Sequence, residues 1–96
     1  MSATLAPPQL TLYGRTYCHL CTDMEAALEP LRQEFGFVIE VVDVDTDPEL
    51  EARYGELVPV LAHGDTRLCH YFLDEPAVRR HLVALAAEAA AVRGAS

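Results

Sequence analysis

Cys18-His19-Leu20-Cys21 follows the apolar run Leu10-Thr11-Leu12-Tyr13 and opens a segment in which Leu20, Met24, Leu28, Leu31 and Phe35 recur at helical spacing. A chain whose apolar pattern changes in this way across two thiols turns from a strand into a helix at that point. The first turn of a helix presents N–H groups that have no intrahelical partner and carries a partial positive charge. A cysteine placed there is stabilised as its thiolate, and a second cysteine three positions on closes a small disulfide ring with it. The pair reads as a redox dithiol, with Cys18 attacking and Cys21 resolving.

Composition narrows the setting. At 96 residues, 51% of them hydrophobic and 23% charged, the sequence predicts one globular domain with its own apolar core. No apolar stretch reaches the roughly 18 to 20 residues that span a bilayer. Met1 to Gln9 carry no basic residue and no apolar core of signal-peptide length, so the expectation is a cytoplasmic protein. Fifteen acids stand against seven arginines and no lysine, a formal net charge of -8. Such a field repels phosphate backbones and anionic lipid, so neither nucleic acid nor a membrane surface is an expected partner. It also disfavours small anionic substrates unless arginines gather locally. Three cysteines, an odd count without an export signal, favour reactive or metal-binding thiols over a structural disulfide framework.

Along the chain, residues 1–8 read as a disordered lead ending in Pro7-Pro8, with a single domain over 9–93. A first strand is expected at about Gln9 to Tyr13, with Gly14-Arg15-Thr16-Tyr17 as the turn into the dithiol. A helix follows from about Cys18 to Phe35, kinked by Pro30 and stopped by Gly36. The run from Phe37 to Asp43 is apolar on both faces for most of its length, which suits a central strand covered by helices on both sides. Asp47-Pro48 reads as an N-cap and first helical residue, and this short helix ends near Tyr54-Gly55. A third strand runs from Val58 to Ala62 with Pro59 at its start, His63 to Thr66 forms a hairpin turn, and a fourth strand spans Arg67 to Phe72. Asp74 caps a final helix with Pro76 in its first turn, a stripe of Val78, Leu82, Leu85, Ala89 and Val92, and Gly94 at its end. The order β-α-β-α-β-β-α makes an α/β fold, a four-stranded mixed sheet with helices on both faces.

The alternative use of a Cys-x-x-Cys pair is half of a metal site. Cys69-His70 offers two more ligands, but neighbours on a strand point to opposite faces and do not readily share one ion. No second Cys-x-x-Cys is present. Zinc, or an iron–sulfur cluster held through Cys18, remains the rival from the binding class, and a redox-inert interaction domain is the second. Arg15, three residues before Cys18, adds positive charge beside the thiolate. Tyr17 either covers the thiol, forms a substrate wall or stands exposed on the rim. A cis Val58-Pro59 bond would turn the Val58 backbone toward the thiols as a docking edge; the plainer reading is a strand-edge proline. Cys69 reads as buried filler, and His63, His70 and His81 as surface or hairpin residues without partners.

From Leu10 to about Val92 the sequence resembles the glutaredoxin branch of the thioredoxin-like superfamily. The resemblance is carried by Leu10 through Cys21 and by Tyr54-Gly55-Glu56-Leu57-Val58-Pro59-Val60-Leu61. It is nearest to the small glutaredoxin-like proteins with a Cys-x-Leu-Cys motif. It implies the thioredoxin-like fold, Cys18 as nucleophile, Cys21 as resolving thiol and Pro59 as the cis-proline. It further implies that Arg15 pairs with a glutathione carboxylate and that the Val58 backbone pairs with the glutathione cysteine. Two departures stand out. Most glutaredoxins carry proline-tyrosine between the cysteines, where this chain has His19-Leu20. They also carry a Gly-Gly pair after the fourth strand, at about the place of Cys69-His70.

The expected activity is a thiol–disulfide oxidoreductase that reduces protein disulfides or glutathione mixed disulfides. Its site is Cys18 and Cys21, with Arg15, Tyr17, Val58 and Pro59 around the substrate. No organic cofactor is required; glutathione or a reductase supplies the electrons, and the partner is a disulfide-containing protein or glutathione.

Overall fold

Leu10, Leu12 and Gly14 are buried on one side of strand β1 (Gln9–Gly14), alternating with Gln9, Thr11 and Tyr13 on the other. This period of two marks a strand with one face sunk in the core and the other only partly covered. The computed structural model describes residues 7–94, so most of the lead expected over 1–8 lies outside the described residues. Gly14 closes the strand and is not part of the turn, one residue later than the sequence pattern indicated.

Helix α1 (His19–Phe35) buries Met24, Leu28 and Leu31 at spacings of four and three, which places them on one stripe. It runs on through Pro30, whose ring sits on the exposed face. Gly36 stops it in the left-handed conformation (φ 78°) and donates its N–H to the Arg32 carbonyl at 2.8 Å. Strand β2 (Val38–Asp43) then pairs parallel to β1, with Leu10 opposite Ile39 and Leu12 opposite Val41. After a single turn of 3-10 helix (Val44–Thr46), Asp47 accepts the Glu49 N–H at 2.9 Å and caps helix α2 (Pro48–Tyr54). Pro48 occupies the first turn, where its missing N–H costs nothing.

Strand β3 (Val60–His63) returns antiparallel to β1, and Gly64-Asp65 turn the chain into β4 (Thr66–His70). Gly64 takes a positive φ of 59°, the conformation that a two-residue hairpin turn demands. Both strands are shorter than their apolar runs: Val58 and Pro59 precede β3, and Tyr71-Phe72 lie beyond β4. Asp74 accepts the Ala77 N–H at 3.2 Å and caps helix α3 (Glu75–Gly94). Of its stripe, Val78 and Leu82 are buried, Leu85 and Ala89 half-buried, and the Val92 side chain lies outside the described residues.

The sheet order is β2-β1-β3-β4. Leu10, Leu12, Met24, Leu28, Leu31, Phe37, Leu61, Val78 and Leu82 form the main core, so α1 and α3 cover one face. Val44, Tyr54 and Val60 form a smaller core with Tyr13 and Leu50, so α2 covers the other. The four-stranded mixed sheet with helices on both faces is the architecture the sequence pattern indicated. The position of β2 is not: it is an edge strand, with Val38 47% and Val41 57% exposed. Strand order follows from the side on which the chain after α2 returns. It returns against β1 on the side away from β2, and apolar content in β2 carries no record of that choice.

Candidate active site

Cys18 is the N-cap residue of α1, with extended backbone (φ -96°, ψ 108°). Its sulfur accepts the Cys21 N–H at 3.1 Å, the place that a serine or aspartate oxygen takes in an ordinary cap. Its carbonyl accepts the N–H of Thr22 at 3.2 Å, fixing the first helical turn. Tyr17, immediately before it, takes a positive φ of 62° and is fully exposed. A non-glycine residue rarely adopts this conformation, and here it swings the chain from the strand end up to the helix start. Cys18 and Cys21 form a disulfide with Cα atoms 5.2 Å apart, one helical turn.

Gly14, expected in the turn, ends β1 and belongs to the site. A Cβ on Gly14 would lie 2.9 Å from the Cys21 sulfur and 3.3 Å from its Cβ. Glycine is what lets β1 pass this close behind the resolving thiol. The signal available in the sequence was a glycine at the last inward-facing position of an otherwise apolar strand.

Arg15 is engaged elsewhere than at the thiols. Its guanidinium pairs with Asp45 and Glu51 and donates to the Gly55 carbonyl at 2.9 Å. The Glu51 hydrogen bond, opposed in part by burial and helped by Asp45, holds its proton still more firmly than usual. Arg15 thus ties the turn before Cys18 to α2 and to the 3-10 turn before it. Thr16 donates to the Asp43 carboxylate at 3.3 Å and holds the same turn to the end of β2.

A cleft of about 270 Å³ opens beside the disulfide, between the first turns of α1 and the end of β2. Its lining includes Tyr17, Cys18, Cys21, Glu25, Val41 and Asp43. On the other flank, the antiparallel register sets Tyr13 opposite Val60, so Pro59 and Val58, the two residues before Val60, follow on toward the strand end that bears Gly14 and Arg15. The Val58–Pro59 bond is cis, Pro59 is buried and Val58 half-buried. Tyr71 clamps this segment, donating its N–H to the Pro59 carbonyl and its hydroxyl to the Glu56 carbonyl, both at 2.8 Å. The dithiol, Tyr17 and the Val58-Pro59 segment therefore share one end of the sheet.

Cys69 and His70 do not join them. Both lie within β4, opposite Leu61 and Val60, and burial raises the Cys69 thiol above its ordinary pKa. The tight backbone turn after β4 falls at Tyr71 (φ 63°), immediately after Cys69-His70, the position the resemblance gave to a Gly-Gly pair. Among the described residues, no three His, Cys, Asp or Glu side chains gather as a metal site. His63 and His81 have the partner that the sequence did not reveal, each other: Nδ1 of His63 lies 2.9 Å from Nε2 of His81. They join β3 to α3 at the end of β3 away from Pro59.

Residues 9–83 match the family model described as "Glutaredoxin-like domain (DUF836)". The chain belongs to this glutaredoxin-like family. Two solved structures are similar at family level. A protein of Nitrosomonas europaea, solved in solution, is 38% identical over 84% of this chain and 98% of its own, with a TM-score of 0.73. A protein of X. campestris, solved by X-ray, is 39% identical over 78% of this chain and 96% of its own, with a TM-score of 0.58. Thioredoxin 1 of Thermosipho africanus, at 18% identity over 77% of this chain and 93% of its own and a TM-score of 0.52, shares the thioredoxin-like fold. No curated protein sequence is significantly similar. The glutaredoxin-like and thioredoxin-like assignments agree with the resemblance carried by the dithiol and the Val58-Pro59 motif. Among the described residues, no helix is long and apolar enough to cross a membrane.

Proposed function

We propose that this glutaredoxin-like protein is a dithiol–disulfide oxidoreductase whose working pair is Cys18 and Cys21. The observation that supports it most is the Cys18 sulfur at the N-cap of α1, accepting the Cys21 N–H. An acceptor in that position is worth more as an anion, because a charge-assisted hydrogen bond and the helix dipole both favour it. Only the thiolate attacks a disulfide. Once the pair is reduced, the Cys18 thiolate attacks one sulfur of a substrate disulfide, and the other leaves as a thiolate that takes up a proton. The resulting mixed disulfide is broken when the Cys21 thiolate attacks the Cys18 sulfur. The substrate sulfur held on Cys18 departs as a thiolate and takes up a proton, the Cys18–Cys21 ring forms, and two electrons have passed to the substrate. Ring closure is fast because Cys21 stands one helical turn away.

The Val58 backbone, on the flank opposite the cleft, is the docking edge for the substrate chain in this reading, and the exposed Tyr17 ring is its wall. A thiol or dithiol reductant restores the pair, with no organic cofactor, and a reducing compartment such as the cytoplasm suits that cycle. The test is a trap. In the reduced Cys21→Ser protein, a small neutral disulfide should leave a stable adduct on Cys18, visible as one added half-molecule by mass. Absence of an adduct on Cys18, with the protein folded, would overturn the proposal.

A further inference from the structure

The charges around the dithiol differ from what a glutathione site needs. Glutathione meets a protein with two carboxylates and one ammonium, and its disulfide carries twice that, a net anion. The cation nearest the pair in sequence, Arg15, is already held by Asp45, Glu51 and the Gly55 carbonyl. Of the residues lining the cleft, Arg15 is the one cation, while Glu25 and Asp43 are carboxylates. With the two acids that pair with Arg15, four carboxylates stand in or beside this cleft against one guanidinium. Asp43 accepts the Asp45 N–H at 2.9 Å and the Thr16 hydroxyl at 3.3 Å, both neutral donors, so neither contact cancels the charge of a carboxylate. Next to these groups Val41 presents an apolar side chain, 57% exposed, and Tyr17 a fully exposed ring. The cleft is thus acidic on its rim and apolar on its walls.

The geometry points to a cationic protein disulfide, one whose cysteine is flanked by arginine or lysine and an apolar residue, as the substrate class of this site, with glutathione disulfide disfavoured. The inference rests on the proposed attack by Cys18. A basic flank meets Glu25 and Asp43 across the cleft, while its apolar neighbour covers Val41 and Tyr17. Two glutathione carboxylates would enter the same field with no free guanidinium to receive them. Redox balance is that of the exchange above: the substrate disulfide gains two electrons, Cys18 and Cys21 lose them, and an added dithiol such as dithiothreitol restores the pair.

The test compares disulfides on one protein. Reduced Cys21→Ser protein is offered, in separate reactions, a peptide disulfide with arginines flanking its cysteines, the same peptide with glutamates, and glutathione disulfide. The rate of adduct formation on Cys18 is followed by mass, and each rate is divided by that of the same disulfide with a neutral small thiol, which removes leaving-group effects. At low salt the arginine peptide should exceed the glutamate peptide by about ten-fold, the lower end of electrostatic steering, with glutathione disulfide grouped with the glutamate peptide. The ratio should shrink toward unity near 0.5 M salt, where the screening length falls to a few ångströms. In a Cys21→Ser protein that also carries Asp45→Asn and Glu51→Gln, Arg15 is freed, and the normalised glutathione disulfide rate should rise several-fold. A preference of the Cys21→Ser protein for glutathione disulfide, or equal normalised rates for all three, would overturn the selection and leave the oxidoreductase reading standing. Reaction of Cys18 with none of them would overturn both.

Discussion

Cys18 and Cys69 are the same residue type in opposite surroundings, the first joined to Cys21 in a disulfide and the second a free thiol. The Cys18 sulfur, partly exposed, receives an N–H at the open start of α1. Cys69 sits inside β4 with its sulfur against the core formed by α1 and α3, and burial pushes its thiol up. At the first place the protein offers a donor and an aligned dipole to an anion; at the second, burial outweighs the one backbone contact that Asp74 makes with the thiol. In the proposed reaction, backbone placement is what separates the attacking thiol from the one that packs. The His63–His81 pair repeats the second case at the other end of β3: burial, and then His63, lower the pKa of His81 and favour its neutral ring, with Glu88 opposing weakly.

The sharpest way to break this comparison is to exchange the two positions' fates by mutation. Cys18→Ser should lower the rate of disulfide reduction by about three orders of magnitude or more, to background, as loss of a nucleophile does elsewhere. Cys69→Ser should leave that rate within about two-fold, because the exchange chemistry does not pass through it. A steady-state assay with dithiothreitol as reductant reads both.

Next in size is the support beneath the dithiol. Leu28→Ala removes a fully buried side chain from the stripe that seats α1 on the sheet. A loss of about 2–5 kcal/mol in unfolding free energy is expected from urea titration. Gly14→Ala acts closer to the chemistry, since the new Cβ must displace the Cys21 sulfur. The attack by Cys18 should persist while ring closure slows by about ten-fold, the scale of a modest misplacement of reacting atoms. Single-turnover release of the substrate's second thiol separates the two steps.

The smallest effect belongs to the histidine pair. Because the folded state holds His81 below its ordinary value of 6.5, the unfolded chain binds the proton more readily. Stability from this group is therefore complete above the unfolded pKa and is lost as pH falls from there through the lower folded pKa. The urea midpoint should drop as pH falls below about 6.5, on top of the carboxylate titrations, and His81→Gln should reduce that slope.

What the sequence revealed and what it hid follow the same division. The dithiol, α1 and the caps Asp47 and Asp74 are local patterns, readable because spacing and residue type act over a few positions. The features that escaped are long-range or sterically costly. Arg15 finds Asp45 and Glu51 at separations of 30 and 36 residues, and the two histidines meet across 18. The edge position of β2 depends on where a later strand docks. Tyr17 and Tyr71 adopt positive φ, which no propensity assigns to tyrosine; the surrounding structure imposes it. Gly14 was visible as a glycine, but its purpose depends on a sulfur seven residues later that only α1 brings behind it.

The most direct measurement is the titration of Cys18 in the reduced protein, by alkylation rate against pH with peptide mass analysis to separate the three cysteines. The account requires Cys18 to become reactive at a pH below the value of about 8.5 typical of a free thiol, and Cys69 only above it. Coincident curves for Cys18 and Cys69, or a Cys18 that titrates as an ordinary thiol, would contradict it.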